Sequence, residues 1–180
     1  MPSGLSKLTT PVEGFPHLIK DLFAADMKVY VAKGEFTEGD IPVDETELSA
    51  LYDGETKKFL PFGMLDGGTS DIKWETNSYK TDFHDVPINY TVTGNLISLT
   101  LTGEMLGFIE EAGIDQFSFL FVPVDRSDVF LALSGVSVKS EGSIPVIADN
   151  EASKITFTLT RKVNKLRTAL KFELFDQGES

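Results

Sequence analysis

The sequence predicts a mostly β fold, an antiparallel β-sandwich or partial barrel with one short flanking α-helix. Three observations carry that expectation. Runs that alternate apolar and polar residues recur at short spacing, separated by turns rich in Gly, Asp and Ser. Residues 104–112 show the i, i+3, i+4, i+7 apolar spacing of an amphipathic helix. Phenylalanine occurs 14 times, many of them inside the alternating runs, against a single tryptophan, Trp74. The 180 residues, 41% of them hydrophobic, read as one domain (1–180) with room for a core.

The first strand is expected over 27–32, with Met27, Val29 and Val31 on one face. A long acidic segment follows, bounded at 33–58. Between 34 and 56 it holds eight acids and no base, yet also Phe36, Ile41, Val43, Leu48, Leu51 and Tyr52. That is too many large apolar residues for a disordered acidic tract. Two readings stand: a solvated excursion with a short helical turn near 45–52, or an assembly loop that docks on a neighbour. Residues 59–63 and a turn at 66–70 lead to a strand over 72–76. Its parity puts Ile72, Trp74 and Thr76 on one side, with Trp74 expected in the core, and Asp71, Lys73 and Glu75 on the other. Residues 79–85 continue as an extended polar segment.

The clearest strand runs over 86–102, and its phase shift between 97 and 99, beyond Gly94, reads as a bulge or bend. The helix at 104–112 then presents Met105, Phe108, Ile109 and Ala112 as one stripe, with Glu104 at its N-terminus and Gly113 as an αL stop. Residues 116–124 form an aromatic strand, 125–128 a turn, and 129–139 the returning partner. A turn near 141–143, strands at 144–148 and 155–160, and a final strand over 166–175 complete the expectation. Residues 1–25 read as an N-terminal arm and 161–180 as a basic C-terminal segment.

Candidate chemistry is sparse. Cysteine is absent, which excludes disulfides, thiolate metal sites and cysteine nucleophiles and suits a reducing cytoplasm. The two histidines are His17, in the first twenty residues, and His84, which reads as a surface turn residue. No G-x-S-x-G or phosphate-loop motif occurs, and Ser134, Gly135 and Ser140 read as ordinary strand or turn residues. The acid pairs Asp71 with Glu75 and Asp82 with Asp85 suit a wet face better than a desolvated general acid. No catalytic residue, metal site or cofactor is therefore expected. No apolar run approaches the ~18–20 residues of a membrane span, and the N-terminus lacks the apolar stretch of a signal peptide.

Charge is more informative. Sixteen bases against 28 acids give a formal charge of −12, which disfavours a general nucleic-acid binder. Yet residues 152–172 carry six bases and no acid: Lys154, Arg161, Lys162, Lys165, Arg167 and Lys171. An acidic early segment and a basic late one are either two solvated faces or complementary surfaces on copies of the same chain. Unlike patches that meet give heterologous contacts, hence rings or filaments.

Three stretches carry a family resemblance: FGMLDGGTSDIKWETNSY at 62–79, INYTVTGNLISLTLTGEMLGFIEEAG at 88–113, which runs straight into the short helix, and KITFTLT at 154–160. In this order they resemble the major tail tube protein of long-tailed, siphovirus-like bacteriophages, over about 27–159. The resemblance implies a virion tail component, assembled in the host cytoplasm, whose hexameric rings stack head to tail. The hollow conduit would pass the genome without specific binding. It implies the chain itself, the tape-measure protein and the tail terminator and tip proteins as partners, and no membrane. The acidic segment takes the place of the family's inter-ring loop, anchored here by Phe36, Ile41, Val43, Leu48, Leu51 and Tyr52. Deleting 36–54 should then leave a folded monomer unable to form tubes. Lys154, Arg161, Lys162, Lys165 and Arg167 form the complementary basic surface. Asp71, Glu75, Asp82 and Asp85 are the lumen candidates, since acids discourage phosphate from sticking. A tube subunit of a contractile tail or type VI secretion-like machine, a monomeric carbohydrate-binding sandwich and a cupin-like or glycosidase enzyme remain as alternatives.

Overall fold

The computed structural model describes residues 27–62, 70–99, 101–146 and 153–175. The expectations for 1–25, His17, the turn at 66–69 and the C-terminal residues 176–180 lie outside them. The strands form one antiparallel path that folds into two layers. The first sheet runs β2 (Leu60–Pro61), β1 (Met27–Lys33), β5 (Phe117–Pro123), the first half of β6 (Val129–Ser143) and β8 (Leu170–Leu174). The second runs from the other half of β6 through β7 (Lys154–Val163) and β4 (Asp85–Ser98) to β3 (Asp71–Lys80). A single strand, β6, therefore serves both sheets, and it turns the corner at Gly135, whose φ is +60°.

Between the layers lies an aromatic core. Phe62, Phe108, Phe117, Phe119 and Phe157 meet edge to face with centroids 4.8–6.4 Å apart, the geometry that ring quadrupoles favour. Phe108 belongs to α2 (Gly103–Ala112), which lays the expected stripe of Met105, Phe108, Ile109 and Ala112 on this core. Thr102 caps the helix by accepting the Met105 N–H at 3.1 Å. Thr102→Ala is expected to cost about 1 kcal/mol in urea unfolding, with the m-value unchanged.

The outer face of the first sheet carries a second core. Residues 34–59 fold back over it, carrying a 3-10 turn at Glu38–Asp40 and the helix α1 (Glu45–Tyr52), which Asp44 caps through the Glu47 N–H at 2.8 Å. Phe36, Leu48 and Phe59 are buried against Leu120, Val122, Phe130, Ala132 and Phe175, and the Tyr30 and Tyr52 rings stack at 4.5 Å. This cover explains why every residue of β5 is buried: the strand is enclosed on both faces and so reads as a continuous apolar run. It also changes the expected outcome of deleting 36–54. That deletion strips one face of the first sheet, so a misfolded or aggregating product is expected in place of a folded monomer.

Several local expectations need correction. Three short α-helices occur among the described residues; the sequence predicts one, with a helical turn near 45–52 in one of two readings. Gly113 ends α2 at φ −72°, a right-handed stop, because the chain turns at once into β5. The ladder between β4 and β7 is regular from Tyr90 to Ser98, so no bulge lies there. Gly94 is instead a close-packing residue, whose Cβ would sit 3.1 Å from Leu159 and 3.3 Å from Leu133. The irregularity falls at Asn77 and Ser78. The expected turn near 141–143 is strand, residues 144–146 are not, and 166–175 divides into α3 (Leu166–Ala169) and β8. Trp74 shares the inner face as its parity requires, but it lies on the edge strand β3 and is 57% exposed.

Candidate functional site

The second sheet turns its inner face to the core with Val92, Leu96, Val138, Ile155, Phe157 and Leu159. Period-two alternation sends every other residue outward. The register sets these outward residues in rows across the four strands. Asp71, Asn95, Thr158 and Lys139 stand abreast; so do Lys73, Thr93, Thr160 and Ser137, then Glu75, Thr91 and Lys162, then Ile97, Thr156 and Glu141. Threonine is well suited to this position, since its β-branched carbon favours strand geometry while its hydroxyl faces water. Asn77 Nδ2 continues the polar surface, donating to Asn89 Oδ1 at 2.6 Å and Thr91 Oγ1 at 2.9 Å. Ile97 is the one large apolar side chain in these rows, and it is half-buried.

This face brings together four of the residues singled out in the sequence, from two different groups. Asp71 and Glu75, the expected lumen acids, share it with Lys154 and Lys162 of the expected basic contact surface. Lys73, Lys139 and Glu141 lie there as well, so the face is mixed rather than acidic, in contrast to the chain's overall −12. Asp82 and Asp85 stand apart. Asp82 is on the exposed 81–84 turn with His84, and Asp85 faces Lys80 at the start of β4. Lys165 and Arg167 mark an exposed corner just after β7.

Arg161 points the other way, inward and only 19% exposed. Its Nη1 donates to the Ser134 carbonyl at 2.8 Å and its Nη2 to Glu35 Oε1 at 2.9 Å. Ser134 Oγ accepts the Phe36 N–H at 2.8 Å and donates to the Phe36 carbonyl at 3.0 Å. Ser118 Oγ donates to the Gly34 carbonyl at 2.7 Å and accepts the Gly135 N–H at 3.1 Å. These bonds tie the start of the cover to the corner of β6. Ser134 and Gly135 are therefore not ordinary strand residues, and Arg161 is a structural clasp within the chain. A glycine interrupting an apolar strand is the signal for it in the sequence.

Of the six apolar residues expected to anchor an inter-ring loop, Phe36 and Leu48 are buried and Ile41, Leu51 and Tyr52 half-buried against the chain's own first sheet; Val43 is 73% exposed. The cover's outward surface is acidic. Within it, the Asp40 carboxyl is held below its ordinary range, first by the Thr37 hydroxyl at 2.8 Å, against partial desolvation, with help from the Thr37 N–H and Lys58. A depressed carboxylate stabilises the fold above its unfolded pKa and loses that contribution as pH falls through the folded value. The Thr37 amide resonance is therefore expected to titrate below the pH of an unperturbed aspartate; a midpoint at the ordinary value contradicts the geometry.

Two edges of the second sheet are open among the described residues: the outer side of β3, and the side of β6 over 137–143 that does not face β7. Among the described residues no group of three His, Asp or Glu side chains is placed to hold a metal ion, and no helix is long and apolar enough to cross a membrane.

Solved structures similar to the chain include the following three. One is the tube-terminating cap of the anti-feeding prophage, at 12% identity and TM-score 0.46, covering 93% of this chain and 98% of that one. Another is the sheath/tube terminator of the PVC extracellular contractile injection system in its extended state, at 10% identity and TM-score 0.42, covering 93% and 99%. The third is a double-tryptophan variant of the Hcp1 protein from E. coli EAEC 042, at 11% identity and TM-score 0.35, covering 83% and 99%. No protein-family model and no curated protein matches the chain.

Proposed function

We propose that the chain is a structural subunit whose copies close into rings and stack into a hollow, tail-tube-like conduit. The observation that carries this reading is the second sheet: four strands, one hydrated Thr/Asn/Lys face, and two edges on opposite sides that are unpaired among the described residues. Open edges invite pairing with another chain. Because the edges are different, pairing β3 of one copy with β6 of the next is heterologous, a contact that closes into a ring when the rotation between copies returns to the start. A hexameric ring brings about twenty-four strands together, far beyond the roughly eight at which side chains fill a barrel, so the bore holds water. The polar face then lines it.

Mixed charge on that face gives a passing polymer neither a continuous cationic track nor a strong barrier. In a phage tail the contents would be the genome and the tape-measure protein, and the tube ends would meet terminator and tip proteins. The part of 33–58 left to meet an adjacent ring is its acidic outer surface with Val43, since its other apolar residues are engaged within the chain. Sedimentation velocity over a rising concentration series tests the reading. Growth from monomer to large discrete assemblies is expected, and a strict monomer throughout overturns it.

A further inference from the structure

We infer that the far end of the β3–β4 hairpin is an arm that docks on a second copy of this chain, at the basic corner after β7; this rests on the self-assembly proposed above. The pairing of β4 with β7 begins at Tyr90, whereas the pairing of β4 with β3 continues out to Asp85. The last part of the hairpin therefore extends about 17 Å past its neighbour, at ~3.3 Å per residue, as a two-stranded ribbon. Such a ribbon is marginal in water by itself. This one is also apolar: Tyr79 and Ile88 are about half exposed, and Phe83 at the tip is 92% exposed. The 81–84 turn that presents Phe83 is well built, with Thr81 Oγ1 accepting the Phe83 and His84 N–H groups and donating to the His84 carbonyl at 2.7 Å. An ordered turn that holds a phenylalanine in solvent is prepared for a partner.

Charge says which partner. Asp82 and Asp85 flank Phe83, and both are exposed. The matching cations are Lys165 and Arg167, exposed and without an ion pair to any described residue, with Lys171 and the 47%-exposed Phe172 following on β8. Their own tip does not neutralise them. The corner follows Val163, which pairs with Tyr90 at the root of the arm, and neither Lys165 nor Arg167 forms an ion pair with Asp82 or Asp85. An acid-flanked phenylalanine at the tip of the ribbon and a basic, partly apolar corner near its root, with no ion pair between them within the chain, are complementary between copies. A membrane is a poor alternative, because the acidic tip is repelled by anionic headgroups.

The absence of native cysteine makes the test clean. Protein carrying His84→Cys, beside Phe83, is mixed with protein carrying Asn164→Cys, beside Lys165, under mild oxidation; both positions are exposed. Docking concentrates the two thiols, so the mixed disulfide dimer should exceed that formed by His84→Cys with Thr46→Cys, on the exposed face of α1, by at least ~10-fold. In cysteine-free protein, Asp82→Lys with Asp85→Lys should weaken assembly, Lys165→Glu with Arg167→Glu should do the same, and all four together should restore it. If the protein assembles by sedimentation but the 84–164 pair shows no preference, or the charge swap restores nothing, the arm is overturned while the ring reading stands. If the protein stays monomeric, both fall.

Discussion

Replacing Phe157 with alanine is expected to lower the unfolding free energy by about 3–5 kcal/mol. The ring is fully buried on β7, 5.0 Å from the Phe62 ring and 5.7 Å from that of Phe108, so it joins the second sheet to α2 and to the segment that follows β2. Its loss leaves a void between rigid layers that cannot collapse, because both walls are hydrogen-bonded sheets. Phe83→Ala removes the same atoms from a side chain that is 92% exposed, and its expected change is within about 0.5 kcal/mol. Urea unfolding of the two variants, read at constant m-value, checks the pair. Equal effects contradict the assignment of core and arm.

Gly135→Ala is the second large effect. At φ +60° a Cβ costs about 1–2 kcal/mol. Here it would also stand 2.7 Å from Arg161 Nη1 and 3.3 Å from Cζ, so the guanidinium must leave the Ser134 carbonyl and Glu35. With that clasp lost, the total reaches roughly 2–4 kcal/mol. The two causes separate in a double-mutant cycle: with Arg161→Ala already present, Gly135→Ala should cost about 1 kcal/mol less. Hydrogen exchange adds a local readout, since the Phe36 N–H, bonded to Ser134 Oγ at 2.8 Å, should lose protection in either single variant. Strict additivity contradicts a clasp.

The strands and the helix stripe are legible in the sequence because period-two and period-3.6 patterns report burial directly. Thr91, Thr93, Thr158 and Thr160 alternate with Val92, Gly94, Phe157 and Leu159 so regularly that the polar face is implicit in the letters. What the letters lack is register. Only pairing shows that Asp71 and Glu75 share cross-strand rows with Lys139 and Lys162, or that Trp74 lies on an edge strand. The acidic segment is ambiguous in sequence for a related reason: apolar residues within an acidic stretch look alike whether they dock on a neighbour or on the chain's own sheet. The run of β5, apolar at every position but Ser118, is the clue, since a strand with two buried faces requires a second cover. Arg161 groups with the basic surface in sequence because charge is visible there and inward orientation is not.

Electron microscopy of the concentrated chain carrying Thr160→Cys, labelled with a small gold cluster, is the most direct measurement. End-on views should show hollow rings with the gold on the inner wall. Solid or dispersed particles, or gold on the outer rim, would mean that this threonine-lined sheet does not face a bore.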